Sequence, residues 1–230
     1  MCQNEFNLIR DAPEQASEEA KIKLFEGSII SCLKSNFVKA QASKSDELIL
    51  SHSCAAHVEQ LMAEEQKDFE LDPELMKFCG RKNNPRAPLN TVCKPSEHSD
   101  PVECLKEKFM DEELKGDDLI PCRKHIATLL QEGQVDAQVD ATLQNACGLD
   151  IKAYCSDIDP GHGRRITCLV NRMKKQPNTL TPDCLNKLKD RQVMWNKAQS
   201  VLKVEGLQDL TNVISRSSHA SKFQRYYFFL

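Results

Sequence analysis

Apolar residues along this chain recur at helical spacing. Cys122, Ile126 and Leu129 stand at i, i+4 and i+7. Pro121 before them suits the first turn of a helix, and Gly133 after them suits its end. Val135, Val139, Leu143 and Cys147 follow at i, i+4, i+8 and i+12, a stripe that predicts a second helix. Two antiparallel helices meeting at Gly133 would bring these stripes together, with Cys122 and Cys147 at their outer ends. Asp159-Pro160-Gly161-His162-Gly163 then breaks the chain, which predicts a turn between two further helices. With only 8 glycines and 6% aromatic residues, a sandwich or barrel is disfavoured and the expected class is all-α.

The apolar pattern also repeats over a longer distance, which bears on the whole architecture. A shift of 68 residues lays Cys54 on Cys122, His57 on His125, Val58 on Ile126, Leu61 on Leu129, Met62 on Leu130, Leu71 on Val139, Leu75 on Leu143 and Cys79 on Cys147. A shorter signature, an apolar residue, a spacer, then Cys-Leu, occurs three times: at Ile30, Cys32 and Leu33 with Phe37, at Val102, Cys104 and Leu105 with Phe109, and at Ile166, Cys168 and Leu169 with Met173. The expected domains are an incomplete repeat over 1–66, full repeats over 67–134 and 135–192, and a tail over 193–230. Helical-hairpin repeats of this kind would stack into a short rod, each touching mainly its neighbours.

Each full unit supplies four cysteines, Cys79, Cys93, Cys104 and Cys122, then Cys147, Cys155, Cys168 and Cys184; the opening unit supplies Cys2, Cys32 and Cys54. No close C-x-x-C pair occurs among the 11 cysteines, which points to staples in an oxidising compartment and not to zinc. The equal spacing of Cys54 to Cys79 and Cys122 to Cys147 predicts a cystine across each hairpin. Cys93 with Cys104 and Cys155 with Cys168 are expected to close shorter turns, with Cys2 and Cys32 as a candidate fifth pair. A Cys147 to Cys155 bridge is not expected, because eight helical residues span about 12 Å and bridged Cα atoms lie within about 7 Å. Cys184 is then left unpaired.

Charge narrows the function. The 31 basic against 34 acidic side chains give a formal net charge of −3, which offers no whole-chain attraction to nucleic acid or anionic lipid. His52, Cys54 and His57 could present zinc ligands from adjacent turns, but the repeat of Cys54 and His57 as Cys122 and His125 favours a cystine beside a helix-surface histidine. Asp157, Asp159 and His162 could act as acid and base, although such residues also serve ordinary turns. Arg164, Arg165, Arg172, Lys174 and Lys175 could present a cationic face to sulfated glycans or an acidic partner, with a solvated helix face as the plainer reading. No Gly-rich phosphate loop, G-x-S-x-G elbow or H-E-x-x-H pair is present, so no catalytic residue, cofactor or metal site is expected.

The stretch Cys147-Gly148-Leu149-Asp150-Ile151-Lys152-Ala153-Tyr154-Cys155, followed by a glycine turn, Cys168-Leu169, Leu180 and Cys184, resembles the cysteine-rich repeats of the Golgi apparatus protein 1 family. That family is also described as a cysteine-rich fibroblast growth factor receptor and as an E-selectin ligand. The resemblance runs from about Ser28 to Leu210 and includes Trp195, Ala198, Val201, Gly206 and Leu207, which are similar to the stretch before the family's membrane span. It implies a type I Golgi membrane protein whose lumenal repeats bind secreted partners such as fibroblast growth factors. The middle repeat departs from the pattern by inserting Asn83-Asn84-Pro85-Arg86-Ala87-Pro88 between its first two cysteines. The start, Met1-Cys2-Gln3-Asn4-Glu5, lacks the features of a signal peptide, and a membrane span is absent, so a slice of a longer array is expected. A cytosolic helical protein with reduced thiols, binding metal or a partner, is the second reading.

Overall fold

A computed structural model describes residues 29–38, 52–80, 85–111 and 113–204. These residues are all-α, and no strand occurs among them. Eight α-helices are described: α1 (29–38), α2 (His52–Glu65), α3 (Pro73–Cys79), α4 (Pro101–Met110), α5 (Ile120–Val135), α6 (Ala141–Tyr154), α7 (Arg164–Lys175) and α8 (Pro182–Val204).

Three of these helices start by the same device. The carboxylates of Asp72, Asp100 and Asp140 accept the amide N–H of Leu75, Glu103 and Leu143 at 2.8–3.0 Å. Each satisfies a donor that the first turn would otherwise leave orphaned. Pro73 and Pro101 follow two of these caps, where the missing N–H costs nothing. On α7 the repeated apolar signature turns inward, burying Ile166, Leu169 and Met173. Full burial of such side chains contributes about 1.5–3 kcal/mol each.

Helix α5 lies at the centre, packed against α3 and α8, while α6 packs on α8 and α7. A large core runs from Leu75 to Leu202 through these helices. A second, smaller core joins Phe37 and Val38 of α1 and Val58 and Met62 of α2 to Val135 and Val139. The single stripe expected from Val135 to Cys147 is therefore divided: Val135 ends α5, Val139 lies in the link, and α6 begins at Ala141. Gly133 does not end α5, which continues to Val135. A side chain there would place its Cβ 3.2 Å from the Cβ of Asp140, so the glycine serves the close approach of that capping aspartate.

The cystines correct the expected pairing. Cys79 is bonded to Cys122 and Cys147 to Cys184; Cys54 is not bonded to Cys79, nor Cys122 to Cys147, and Cys184 is not unpaired. Cys93–Cys104 and Cys155–Cys168 are bonded, the two pairs expected across short turns. Cys32 is disulfide-bonded, while Cys2 lies outside the described residues. The physical reason is the packing: α5 lies along α3 and α8, so Cys122 meets Cys79 on α3, and Cys147 on α6 meets Cys184 on α8. Each full unit is thus a nested pair of loops, the outer closing 43 or 37 residues and the inner 11 or 13. In the chain-entropy model the outer closures contribute about 4 kcal/mol and the inner ones about 3 kcal/mol, fewer together because they are nested.

Candidate functional site

The outer cystine of the first full unit positions a buried charged seam. Asp72 spends one carboxylate oxygen on capping α3 and the other on His125 Nε2, at 2.7 Å. His125 stands three residues after Cys122 on α5, so the cystine and the ion pair hold the same two helices together. His125 Nδ1 lies 3.4 Å from Glu74 Oε2. Beside this seam, Lys34 on α1 donates to Glu65 on α2 at 2.7 Å and lies 3.8 Å from Glu132 on α5. Lys34, Glu65, Asp72, Glu74, His125 and Glu132 line a cavity of about 270 Å³. Among the described residues, one oxygen each of Glu65 and Glu132 at this cavity is buried without a hydrogen-bond partner.

Burial alone would push the His125 pKa down, but the hydrogen bonds and charges of Asp72 and Glu74 prevail and raise it to about 9. A histidine so placed is a fixed cation at neutral pH and has no free base to offer. Asp72 is held below its ordinary value, because the same partnership outweighs burial. Burial pushes Glu65 up to about 7 against the pull of Lys34, so its charge, and that of the cavity, changes near neutral pH. Glu132 is also raised by burial. With Ile30, Val38, Pro73 and Leu202 on the same walls, the arrangement suits a side chain that has an apolar stem and a polar or charged tip.

The second full unit builds an equivalent seam with different chemistry. Asp140, which lies 68 positions after Asp72, caps α6 and accepts from Arg191 Nε at 2.6 Å. Arg191 lies on α8 seven residues after Cys184, on the same helix face, and is 0% exposed. Its terminal nitrogens donate to both oxygens of Glu103 at 3.0 and 2.6 Å, a two-pronged contact that favours the charged forms. Lys187 adds a bond to Glu103 at 3.1 Å. Buried Lys106 donates to Gln66 at 2.7 Å, and Gln66 donates to the Leu129 carbonyl at 3.2 Å. These bonds tie α4 and α5 to the end of α2.

Other residues singled out in the sequence are not drawn into either seam. His57 is exposed and donates from Nδ1 to the Ser53 carbonyl at 2.6 Å, while the side chain of His52 lies outside the described residues. His125, expected at a helix surface or boundary, is instead buried at 6% exposure. Asp157, Asp159 and His162 are exposed in the turn after Cys155. That turn is docked by the Gly161 amide on the Asp136 carboxylate and by the Gly163 amide on the Val135 carbonyl. Gly163 has φ +62°, and a Cβ there would press to 3.2 Å from the Gln134 carbonyl oxygen, so glycine is required. Among the described residues, no group of three or more His, Cys, Asp or Glu is arranged to hold a metal, and no helix is long and apolar enough to cross a membrane.

The charged seams escaped the reading of the sequence. A signal was present: His125 falls between Cys122 and Ile126 on the apolar face of α5, and Arg191 falls between Leu188 and Trp195 on that of α8. A charged residue at an interior position demands a buried counter-charge, and the capping aspartates supply it.

Residues 52–113 and 121–177 match the family model described as a cysteine rich repeat. The chain is 31% identical to the chicken Golgi apparatus protein 1 over 221 residues, 94% of this chain and 17% of that protein. It is 34% identical over 178 residues to the Caenorhabditis elegans Golgi apparatus protein 1 homolog, 77% of this chain and 15% of the relative. The human Golgi apparatus protein 1 is 31% identical over 197 residues, 84% of this chain and 15% of that protein. The chain therefore spans about a sixth of the length of these curated relatives. No solved structure matches it.

Proposed function

The chain belongs to the cysteine-rich repeat family, and from that premise we propose that it is a non-catalytic, lumenal segment of a Golgi membrane protein whose repeats hold secreted partners, fibroblast growth factors among them. The observation that carries this reading is the nested cystine unit, built twice with one plan in a chain whose relatives are named for the Golgi apparatus. Cystines persist in an oxidising lumen and not in reducing cytosol. They also fix a binding surface before a partner arrives, which lowers the entropic cost of association.

The repeat division proposed is 67–134 and 135–192, following an opening portion over 1–66 and preceding a tail over 193–230. Each outer cystine closes inside one such unit, whereas the matched segments 52–113 and 121–177 begin beside Cys54 and Cys122 and cut across the cystines. The cavity beside the first seam lies where α1, α2, α3 and α5 meet Leu202 of α8, and it offers a partner side chain a largely apolar receptacle set with charged groups.

Two measurements test the proposal. Thiol titration of the denatured, unreduced chain is expected to leave at least the eight cysteines of the four cystines unreactive; reaction of all 11 would return the cytosolic, reduced reading. Surface plasmon resonance against a fibroblast growth factor is expected to show saturable binding that disappears on reduction. Absence of binding to the oxidised chain would remove the growth-factor partner.

A further inference from the structure

Helix α7 carries an unusual share of the positive charge of a chain that is acidic as a whole. From Lys152 to Lys175 there are six Lys and Arg side chains against two carboxylates, Asp157 and Asp159, in a chain of net charge −3. At about 100° per residue, Arg164, Arg165, Arg172 and Lys175 fall within one arc of about 100°. The arc contains Cys168 of the inner cystine, while buried Ile166, Leu169 and Met173 lie about 120° away. From Arg164 to Lys175 the row is about 16 Å long.

The arginines of this row are held in place by neutral partners. Arg172 stacks on Tyr154 with its guanidinium carbon 3.9 Å from the ring centre, and its Nε donates to Thr179 Oγ1 at 3.1 Å. Tyr154 is itself anchored by its hydroxyl to the Thr179 carbonyl at 2.9 Å. Arg165 donates from Nε to the Ile158 carbonyl at 2.9 Å. Arg164 donates from Nη2 and Nε to the carbonyls of Pro160 and Gly161 at 2.9 and 3.3 Å. Their remaining guanidinium N–H groups have no protein acceptor among the described residues. The carboxylates nearby, Asp157, Asp159 and Glu59, form no ion pair with them, although Glu59 feels the charge of Arg165. Surface arginines normally lose rotamer freedom on binding, and here part of that loss has already been taken in folding.

We propose that this row along the Cys155–Cys168 cystine is a binding site for a linear sulfated polysaccharide. Guanidinium forks match the oxygens of a sulfate better than ammonium groups do. The exposed part of the arc offers charge without the apolar core that a folded protein partner would bury. A membrane surface fits poorly, because the apolar face of α7 is already packed inside the protein. The choice of sulfate over phosphate rests on the lumenal placement proposed above; the cationic row does not.

The test is calorimetric titration of the oxidised chain with a heparin oligosaccharide at several salt concentrations, with hyaluronan and polyglutamate as competitors. Binding is expected to weaken linearly with the logarithm of salt concentration, and R164Q/R165Q/K175Q to lose about tenfold in affinity with a shallower salt slope. K174Q removes the same charge from the same helix outside the arc and is expected to change affinity less than about twofold. Arg172→Lys keeps the charge but loses the fork and the stack, with an expected loss of about threefold. If the triple variant loses its helical circular dichroism, R165Q and K175Q singly decide, each being expected to weaken binding more than K174Q. No binding at physiological salt, an equal loss in K174Q, or displacement of heparin by polyglutamate or hyaluronan as effectively as by heparin itself would overturn the proposal. The last result would assign the row to an acidic peptide or a carboxylate polymer. None of these outcomes bears on the thiol titration or growth-factor binding, so the two readings fail separately.

Discussion

The two full repeats close the same corner with the same aspartate and different cations. In the first, Asp72 caps α3 and meets His125; in the second, Asp140 caps α6 and meets Arg191. In both, the cation comes from the helix that carries the fourth cysteine, on the face of that cysteine. The histidine seam opens on a cavity with carboxylate oxygens left unbonded. The arginine seam is filled, its guanidinium shared between Asp140 and Glu103. The lesson is that one repeat plan can be locked by a charge that does not titrate or by one that does. The second unit is the fixed form and the first the adjustable one.

The largest expected effect separates the two seams directly. Arg191→Ala strands buried Asp140 and leaves Glu103 with only its lysine partners, and a loss of about 3–5 kcal/mol in urea unfolding is expected. Next, Cys147→Ser with Cys184→Ser should cost about 4 kcal/mol and Cys155→Ser with Cys168→Ser about 3 kcal/mol, each from the loop it opens. An inner pair that mattered more than the outer would show that loop length does not set the ranking of the closures. His125→Ala should cost less than Arg191→Ala, about 1–3 kcal/mol at pH 6, since Glu74 is partly solvated and water can reach the cavity.

A smaller effect sharpens the contrast through pH. His125 is raised above its ordinary value, so the stability it contributes is complete below about 6.5 and is lost as pH climbs through about 9. Glu65 is likewise raised, but its contribution has gone by about 7; burial also raises Glu132 and lowers Lys106, so the His125 share of any slope between 7 and 9 is the part that His125→Gln removes. Unfolding free energies measured across that window should fall for the native sequence and stay flatter for His125→Gln. Arg191 stays charged throughout, so a slope as steep in His125→Gln as in the native sequence would refute the assignment.

Much of this frame was legible in the sequence. The helical period placed α5 correctly behind Pro121; the 68-residue shift also lays Asp72 on Asp140, but that pair was passed over because an aspartate shows no apolar period, and only the fold brought it out. The short-turn cystines Cys93–Cys104 and Cys155–Cys168 follow from local chain breaks. The outer cystines could not be read the same way. The 25-residue spacing shared by Cys54 and Cys79 and by Cys122 and Cys147 recurs in any tandem array of this period, so it reports the repetition and says nothing of which helices touch. Pairing depends on α5 lying along α3 and α8, a long-range choice made by the core. Arg191 was hidden for a related reason: its partners Glu103 and Asp140 lie 88 and 51 residues away, beyond any local pattern.

The claim on which the account turns is the nested order of the cystines, and non-reducing peptide mapping by mass spectrometry reads it without intermediaries. Linked peptides joining Cys79 to Cys122, Cys93 to Cys104, Cys147 to Cys184 and Cys155 to Cys168 are expected. Linkage of Cys54 to Cys79, or of Cys122 to Cys147, would contradict that order.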